Sequence, residues 1–335
     1  MDRRGFLGVG GAALICTIGG KTVEVRTPED LEQVDAAMRK LQRPKGGKRA
    51  PEPVDTLRFG TPEPQPGGQV REYWIEARSL KWDVAPTGRD DWMDHPVPKP
   101  RTFRAFAYRL WSEGFARPIG PPTIPGPTLH AEVGDILRVH FRNGDEAFGQ
   151  AVTMHPHGVR YTPDYDGAYL GERTRVGGFV APGEEFTYTW EATPDSVGAW
   201  PYHDHGPNHA INSRRGLFGA LIVREKGAAP ADVEVPLFLH AFSPAITKLR
   251  ANLQCVNGRV FAGNTPTVRA RVGQSVAFYV FGGDDMLHTF HIHGHRWRRP
   301  DGVFTDNELL GPETVLTARW TEDNPGRWLY HCHVL

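Results

Sequence analysis

The sequence is poor in cysteine and methionine, lacks long apolar runs, and carries no net charge. Its 335 residues include three cysteines and five methionines, and 39 basic residues balance 39 acidic ones. Zero net charge gives no electrostatic reason to expect a nucleic-acid or anionic-membrane partner. The apolar stretch that ends near Ile18 is rich in glycine and shorter than the roughly 20 residues that a membrane-spanning helix needs. We therefore expect no membrane span.

The N-terminus has the pattern of an export signal. Arg3 and Arg4 precede a Phe-Leu pair and the apolar stretch, which resembles a twin-arginine signal. We interpret residues 1–20 as this signal and predict a periplasmic or extracellular location. A bulky residue before Cys16 makes a lipid anchor at that cysteine the less favoured reading.

The three cysteines do not suggest a disulfide framework. Cys16 would leave with the signal, and Cys332 lies between two histidines, where a metal-binding role is favoured. Cys255 then has no partner within the chain, and we interpret it as a buried apolar residue.

Residues 21–69 read as an N-terminal extension and linker. The spacing of apolar residues predicts one helix from Pro28 to about Arg43. Segments rich in proline and glycine follow at 44–49 and 62–66, where we expect low order.

The remaining 266 residues or so read as an all-β protein with two similar halves. Side chains alternate between polar and apolar over 136–141 and 186–190, which is typical of half-buried strands. The stretch 267–280 repeats the pattern of the stretch after Leu129, including a turn glycine before an alternating strand. We predict two β-sandwich domains in tandem, over residues 70–226 and 227–335.

Four histidine clusters occur at matching places in the two halves. On a strand, residues of the same parity point to one face. Parity therefore places eight histidines in one group and a histidine with a cysteine in another, on the opposite face. The first group contains His155, His157, His203, His205, His291, His293, His331 and His333. The second contains His288 and Cys332.

This set of side chains suits copper better than zinc. A structural zinc site has four ligands, which come from pairs of cysteines or histidines that are close in sequence. Nine histidines and one thiolate are more ligands than one mononuclear site can use. One thiolate with two imidazoles and a weak axial ligand describes a blue-copper electron-transfer site. A single-electron centre beside a multinuclear centre fits the four-electron reduction of dioxygen.

With these motifs in their order, the sequence resembles the multicopper oxidases, and among them the two-domain, laccase-like bacterial enzymes. The motifs are His155-Pro156-His157-Gly158, His203-Asp204-His205, the run from His288 to His295, and His331-Cys332-His333. The resemblance covers about residue 70 to the end. It implies two tandem cupredoxin-like Greek-key domains and an assembly of three identical chains, with each multinuclear centre built between the first domain of one chain and the second domain of its neighbour.

The resemblance also assigns roles to the ten residues. His288 and Cys332 would bind the type 1 copper, His155 and His291 the type 2 copper, and the other six histidines the type 3 pair. Cys332, His331 and His333 would carry electrons from the first centre to the second. His295 would support a ligand or the fold, and Asp204 would orient a ligand, move protons or simply be solvated. We expect ordinary surface or core positions for the remaining histidines, which are His95, His130, His140, His209 and His240.

The sequence departs from the family pattern after Cys332. Family members place a second type 1 histidine, an axial ligand and a last strand within about one loop of the cysteine, and none follows here. We therefore expect the second domain to lack its last strand and the sequence to be a fragment of a longer reading frame, or otherwise a degenerate protein with no working blue site.

The leading functional hypothesis is a laccase-like oxidase of phenolic or other small aromatic donors. A cuprous-ion oxidase is less favoured because only five methionines are present. A copper-binding or electron-transfer protein without oxidase turnover is the alternative from another class. A zinc hydrolase leaves Cys332 unexplained, and a copper nitrite reductase would be expected to have its blue-site cysteine in the first domain.

Overall fold

The computed structural model describes residues 14–18, 21–25, 27–42, 62–171 and 174–334. Within these residues most of the secondary structure consists of strands. In the N-terminal half they are β1 (Leu14–Ile18), β2 (Lys21–Val25), β3 (Val70–Asp83), β4 (Arg89–Asp90), β5 (His95–Pro96), β6 (Thr102–Trp111), β7 (Pro118–Thr123), β8 (Leu129–Glu132), β9 (Ile136–Asn143), β10 (His155–Pro156), β11 (Glu185–Glu191), β12 (Gly198–His203) and β13 (Phe218–Arg224). In the C-terminal half they are β14 (Val233–Phe242), β15 (Leu253–Val256), β16 (Ser275–Gly282), β17 (His288–Ile292), β18 (Trp297–Arg298), β19 (Phe304–Thr305), β20 (Asn307–Leu310), β21 (Val315–Thr321) and β22 (Tyr330–Cys332).

The helices are few and short. They are α1 (Pro28–Gln42), α2 (His209–Arg214) and α3 (Pro244–Thr247), with one-turn 3₁₀ helices at Glu113–Phe115, Pro163–Tyr165, Val176–Gly178 and Pro194–Ser196. No helix in the described ranges is long and apolar enough to cross a membrane.

The first half folds as a sandwich of two sheets. One sheet has the strand order β11-β9-β3-β6-β7, and the other has the order β10-β12-β13-β8. Alternating residues of both sheets meet between them, so that Val139 and Trp190 of the first sheet and Leu221 and Val223 of the second are buried. The two histidine-bearing strands β10 and β12 lie together at the edge of the second sheet.

The second half repeats this arrangement with fewer strands. Its sheets have the orders β15-β14-β16-β21 and β20-β17-β22, and they enclose a core that includes Leu237, Phe278, Phe290 and Trp297. The predicted fold class, two tandem cupredoxin-like β-sandwiches, is confirmed. The predicted boundaries at residues 70, 226 and 227 stay predictions.

The internal repeat extends to the pairing of individual strands. β3 runs parallel to β9 in the first half, as β14 runs parallel to β16 in the second. β10 pairs with β12 in the first half, and β17 pairs with β22 in the second, so the histidine motifs occupy equivalent strands. The two turn glycines also correspond, because Gly134 and Gly273 both have positive φ, at 95° and 89°. Residues 267–271, which correspond to β8, form no strand.

A third apolar cluster joins the two sandwiches to each other. It contains Phe103 and Phe218 from the first half and Phe238 and Phe281 from the second. An ion pair between Arg224 and Glu234 links the halves at their junction. Because the cluster contains residues of both halves, the two sandwiches share an apolar interface.

The N-terminal helix is part of this body. α1 begins at a Thr27 capping box, in which Asp30 Oδ2 accepts from the Thr27 N–H and Thr27 Oγ1 accepts from the Asp30 N–H. Leu31 and Val34 are buried in the cluster between the sandwiches. The predicted helix is confirmed, and its first turns pack against the protein instead of extending from it.

Other predictions for the N-terminal region remain open. Only β1 is described within the predicted export signal. The predicted linker at 44–49 lies outside the described residues, and residues 62–66 form no helix or strand.

Candidate metal centre

Four histidines of the first sandwich converge at the ends of β10 and β12. His155 is paired directly with His203 across the two strands, and His157 and His205 follow two residues later in each case. The Nε2 atoms of His157 and His203 lie 3.0 Å apart. One ring nitrogen from each of His155, His157 and His203 fits within a 4.8 Å span. We call these four residues the first half-site.

Burial favours the neutral form of three imidazoles of the first half-site, those of His157, His203 and His205. It lowers the pKa of His157 to about 4 and that of His203 to about 3, and it also lowers the pKa of His205. The neighbouring histidines act in the same direction, because two imidazolium ions this close would repel each other. A neutral imidazole carries a free lone pair, which is the form that binds a metal ion.

Hydrogen bonds fix which nitrogen faces the centre. His203 donates from Nδ1 to the carbonyl oxygen of Asp204 at 2.8 Å. His155 Nδ1 lies 2.7 Å from the carbonyl oxygen of Asp166 and 3.0 Å from its carboxylate. These bonds leave Nε2 of each ring free to bind, and such outer contacts orient metal ligands in proteins generally.

Asp166 and Tyr161 were not found by sequence reasoning. The Asp166 carboxylate contacts the rings of both His155 and Tyr161, and burial followed by that carboxylate raises the pKa of Tyr161 to about 12. No spacing rule marks an aspartate eleven residues after a histidine. The Asp-Gly turn at 166–167 is the only local signal, and it indicates a turn rather than a site.

Asp204 is wholly buried, so the solvated reading of this carboxylate is wrong. Its Oδ1 accepts from the backbone N–H groups of Thr153 and Gly206 at 2.7 and 3.2 Å, and Oδ2 accepts from Asn212 at 3.3 Å. Burial raises the pKa of Asp204 to about 6. The carboxylate therefore ties the residue between the two ligands to Thr153, which precedes β10, and to α2.

His209 lies beside the first half-site and not in an ordinary position. Its ring stacks on His205, with the centroids 4.5 Å apart and the planes 19° from parallel. Sequence reasoning missed this because His209 lies outside the His-x-His spacing, and α2 brings it back toward the ligands.

Four histidines of the second sandwich converge in the same way. His291 in β17 is paired directly with His331 in β22, and His293 and His333 follow two residues later. The Nε2 atoms of His293 and His331 lie 3.2 Å apart. His291 donates from Nδ1 to the carbonyl oxygen of Asp306 at 2.7 Å. We call these four residues the second half-site.

The second half-site is open to solvent. His293 and His333 are exposed, and the other two members are half-buried. Exposed histidines have no structural need to gather, so their convergence indicates a binding role.

His288 and Cys332 meet on the opposite face of the same two strands. Cys332 Sγ lies 3.6 Å from His288 Nδ1, and His288 Nε2 lies 2.9 Å from the buried carboxylate of Asp284. Burial alone would lower the pKa of His288, but its contacts with Asp284 and Cys332 outweigh burial and raise it to about 9. Burial is also opposed at Cys332, where the contact with His288 lowers the pKa of the thiol. A thiol that ionises easily beside an oriented imidazole suits a copper–thiolate site.

This pair alone does not complete such a site. In the described part of the chain, no group of three converging metal-binding side chains includes Cys332. A cavity of about 900 Å³ borders both residues and is lined by apolar side chains such as Phe278 and Trp320. The cavity leaves room beside the sulfur for further ligands.

The remaining histidines take structural positions. His295 donates from Nδ1 to the carbonyl oxygen of His293 at 2.9 Å, and its Nε2 lies 3.1 Å from Glu322. His140 stacks on Trp74 and His240 is buried, while His95 is exposed and His130 is half-buried. Cys255 is buried and free, as expected, and burial raises the pKa of its thiol.

The two half-sites do not meet within one chain. No hydrogen bond or ring contact joins a histidine of one half-site to a histidine of the other in the ranges that the structure describes. Each half-site therefore presents its own four imidazoles, without contact with the four imidazoles of the other half-site.

Comparison with known proteins agrees with the fold and the motifs. A sequence profile described as multicopper oxidase matches residues 122–228, and a second profile of that description matches residues 235–335. A solved multicopper oxidase is 26% identical, with a TM-score of 0.60, and the match covers 81% of this chain and 86% of the other. A copper-containing nitrite reductase from Thermus scotoductus, 18% identical with a TM-score of 0.57 over 80% of this chain and 59% of the other, shares the fold.

Curated relatives are longer proteins. The chain is 31% identical to a probable nitrite reductase-hydroxylamine oxidoreductase fusion protein of Kuenenia stuttgartiensis, over 70% of this chain and 28% of that protein. It is 27% identical to human hephaestin and to the mouse ferroxidase HEPHL1, in each case over 80% of this chain and 28% of the other. The chain thus spans less than a third of the length of these relatives.

The tandem sandwiches and the histidine and cysteine motifs together define a copper protein of the cupredoxin type. The chain belongs to the multicopper oxidase family, and the copper that the family implies fits the clustered imidazoles of both half-sites.

Proposed function

We propose that the protein is a laccase-like oxidase that takes single electrons from phenolic or other small aromatic donors and reduces dioxygen to water. The observation that carries this proposal is the placement of Cys332 and the second half-site on opposite faces of β22. Cys332 and His288 would hold a type 1 copper. His155 and His291 would hold the type 2 copper, and the other six half-site histidines the type 3 pair.

When bound, copper would supply one-electron redox chemistry at the cysteine and at the histidine centre. The chain supplies the connection between the two centres. Cys332 is covalently adjacent to His331 and His333, so an electron that enters at its sulfur has a path of a few backbone bonds to the second half-site. The strand pairing of β17 with β22 holds both ends of this path in place.

We infer that the centre forms between two chains of a homotrimer. Each chain carries one half-site of each kind, and the two do not meet within it. Exposed apolar side chains flank both half-sites. Tyr169, whose N–H donates to the carbonyl oxygen of His205, precedes exposed Leu170, and Leu309 lies on β20 beside β17. Placing the first half-site of one chain on the second half-site of its neighbour would cover these residues and bring eight imidazoles together.

A copper-binding or electron-transfer role without oxidase turnover is the second candidate. It is favoured by the contact of Cys332 with only one imidazole in the described residues. In a working oxidase the cavity beside the sulfur must receive the remaining ligands. We also propose export to the periplasm or beyond, on the basis of the twin-arginine pattern.

The test is oxygen uptake by the copper-loaded protein with a methoxyphenol as donor. We expect uptake, with four one-electron oxidations for each dioxygen consumed and no peroxide. Uptake with cuprous ion alone would instead favour a cuprous-ion oxidase. Nitric oxide formation from nitrite without oxygen would favour a reductase. If the protein bound copper but consumed no oxygen with either the methoxyphenol or cuprous ion, the oxidase proposal would be contradicted. The copper-binding or electron-transfer role would then be favoured.

A further inference from the structure

α1 carries a buried acid on the side that faces the first half-site. Asp35 is 7% exposed, although it belongs to the N-terminal extension and not to either sandwich. Its partner Arg215, which follows α2, is 2% exposed. Arg215 Nη2 donates to Asp35 Oδ2 at 2.6 Å, and Nη1 donates to Oδ1 at 3.2 Å. Burying two charges is costly unless they are paired this closely, so the contact is a specific feature of the fold.

The pair is connected to the loop that carries His203 and His205. Asp35 Oδ1 also accepts from Asn208 at 3.5 Å, and Asn208 lies three residues after His205. Arg215 Nη1 donates to Asn212 Oδ1 at 3.4 Å. Asn212 in turn donates to the buried carboxylate of Asp204, between the two ligands, at 3.3 Å.

The surroundings make this connection stiff. Asn212 is fully buried and Asn208 is 4% exposed, so water does not compete for these bonds. The Arg215 guanidinium stacks over Phe148 at 4.0 Å. The ion pair between Glu32 and Lys248 lies on the exposed face of α1, where solvent screens it, so it contributes little to this connection.

We propose that α1 positions the copper ligands of the first half-site, with Asp35 as the positioning residue. The helix closes the polar chain from Asp35 through Arg215 and Asn212 to Asp204, and that chain fixes the loop between His203 and His205. An N-terminal segment outside both sandwiches is in this way a working part of the metal centre. This inference rests on the proposed copper site, but the link from helix to loop can be tested without copper.

Removal of one charge alone would leave the other buried and could unfold the protein. The informative variant is therefore the double substitution Asp35→Leu with Arg215→Met, which removes both charges and keeps apolar volume. Asp35→Asn provides the single change, and Glu32→Gln is the matched control on the exposed face of the same helix. Thermal unfolding identifies which variants retain the fold.

The first readout is hydrogen exchange of the backbone amides at 203–212 in the copper-free, full-length protein. We expect faster exchange there in the double variant and in Asp35→Asn, with no change in Glu32→Gln. The second readout is copper affinity by competition with a chelator. The loss of a group that orients ligands typically weakens metal binding about tenfold or more, and we expect that loss in the double variant.

A double variant that melts like the unmodified protein, exchanges at 203–212 at the same rate and binds copper equally well would overturn the inference. The remaining outcome is faster exchange in the double variant together with an unmodified protein that binds no copper. That outcome would support the link between the helix and the loop and would contradict the proposed function instead.

Discussion

Replacing the buried histidine of β14 should change how stability depends on pH. His240 is 2% exposed, and its Nε2 accepts the backbone N–H of Gly258 at 2.9 Å. The rings of Phe218 and Phe242 pack edge-on against it. Burial lowers the pKa of His240 from its ordinary value of 6.5 to about 4. Protonation would both charge a buried ring and turn its only acceptor into a second donor facing Gly258.

The sign follows from the direction of this shift. Below about pH 6.5 the unfolded chain binds a proton at His240 that the folded chain refuses, so the free energy of unfolding falls as the pH falls. With the pKa of His240 near 6.5 unfolded and about 4 folded, the loss is about 2 kcal/mol at pH 5. It approaches about 3 kcal/mol below pH 4.

The assay is urea unfolding of the copper-free protein at about pH 7 and about pH 5, with His240→Gln as the test variant. Glutamine does not titrate, and its amide oxygen can still accept from Gly258. All other histidines are common to both proteins and cancel in the difference. We expect the stability difference to move by about 2 kcal/mol in favour of the variant between the two pH values. The exposed substitution His95→Gln is the control. Its free energy of unfolding should change between the two pH values as that of the unmodified protein does. If the free energies of unfolding of His240→Gln and of the unmodified protein changed equally between the two pH values, the reasoning would be refuted.

Three further predictions concern the metal centre and its support. Cys332→Ser should abolish any intense blue absorption and the oxygen uptake, while copper analysis still finds metal on the histidines. Gly158→Ala should destabilise the protein by about 3 kcal/mol, because a Cβ at this positive-φ position would lie 1.9 Å from Trp200. Gly183→Ala, with positive φ and nothing within 4 Å, should cost only about 1 kcal/mol, and equal denaturation midpoints for the two would contradict this account. Asp166→Asn should weaken copper binding about tenfold by chelator competition, and unchanged affinity would show that its contact with the ligand is incidental.

Strand periodicity explains why most of the site could be predicted. Alternation along β17 and β22 is enough to separate His288 and Cys332 from the half-site histidines. The observed pairing of His291 with His331 then requires only that the two strands be neighbours. The repeated turn glycines likewise predicted equivalent strands in the two halves.

The supporting contacts were not predictable in this way. Asp166, His209 and the Asp35–Arg215 pair come together through loops and helix packing, across as many as 180 residues of sequence for the ion pair. An acidic residue in a helical pattern is normally solvated, and nothing local distinguishes the buried Asp35 from the exposed Glu32. Such partners are selected by the folded shape and not by a local pattern.

The most direct test of the shared copper centre is complementation between two inactive variants. One variant carries His155→Ala with His157→Ala, and the other carries His291→Ala with His293→Ala, so each chain has lost one half-site. Each variant alone should consume no oxygen. Equal co-expression should restore about a quarter of the normal activity, because about one interface in four then joins two intact half-sites from different chains. No recovery from mixed assemblies, while the unmodified protein consumes oxygen, would contradict a centre built between chains.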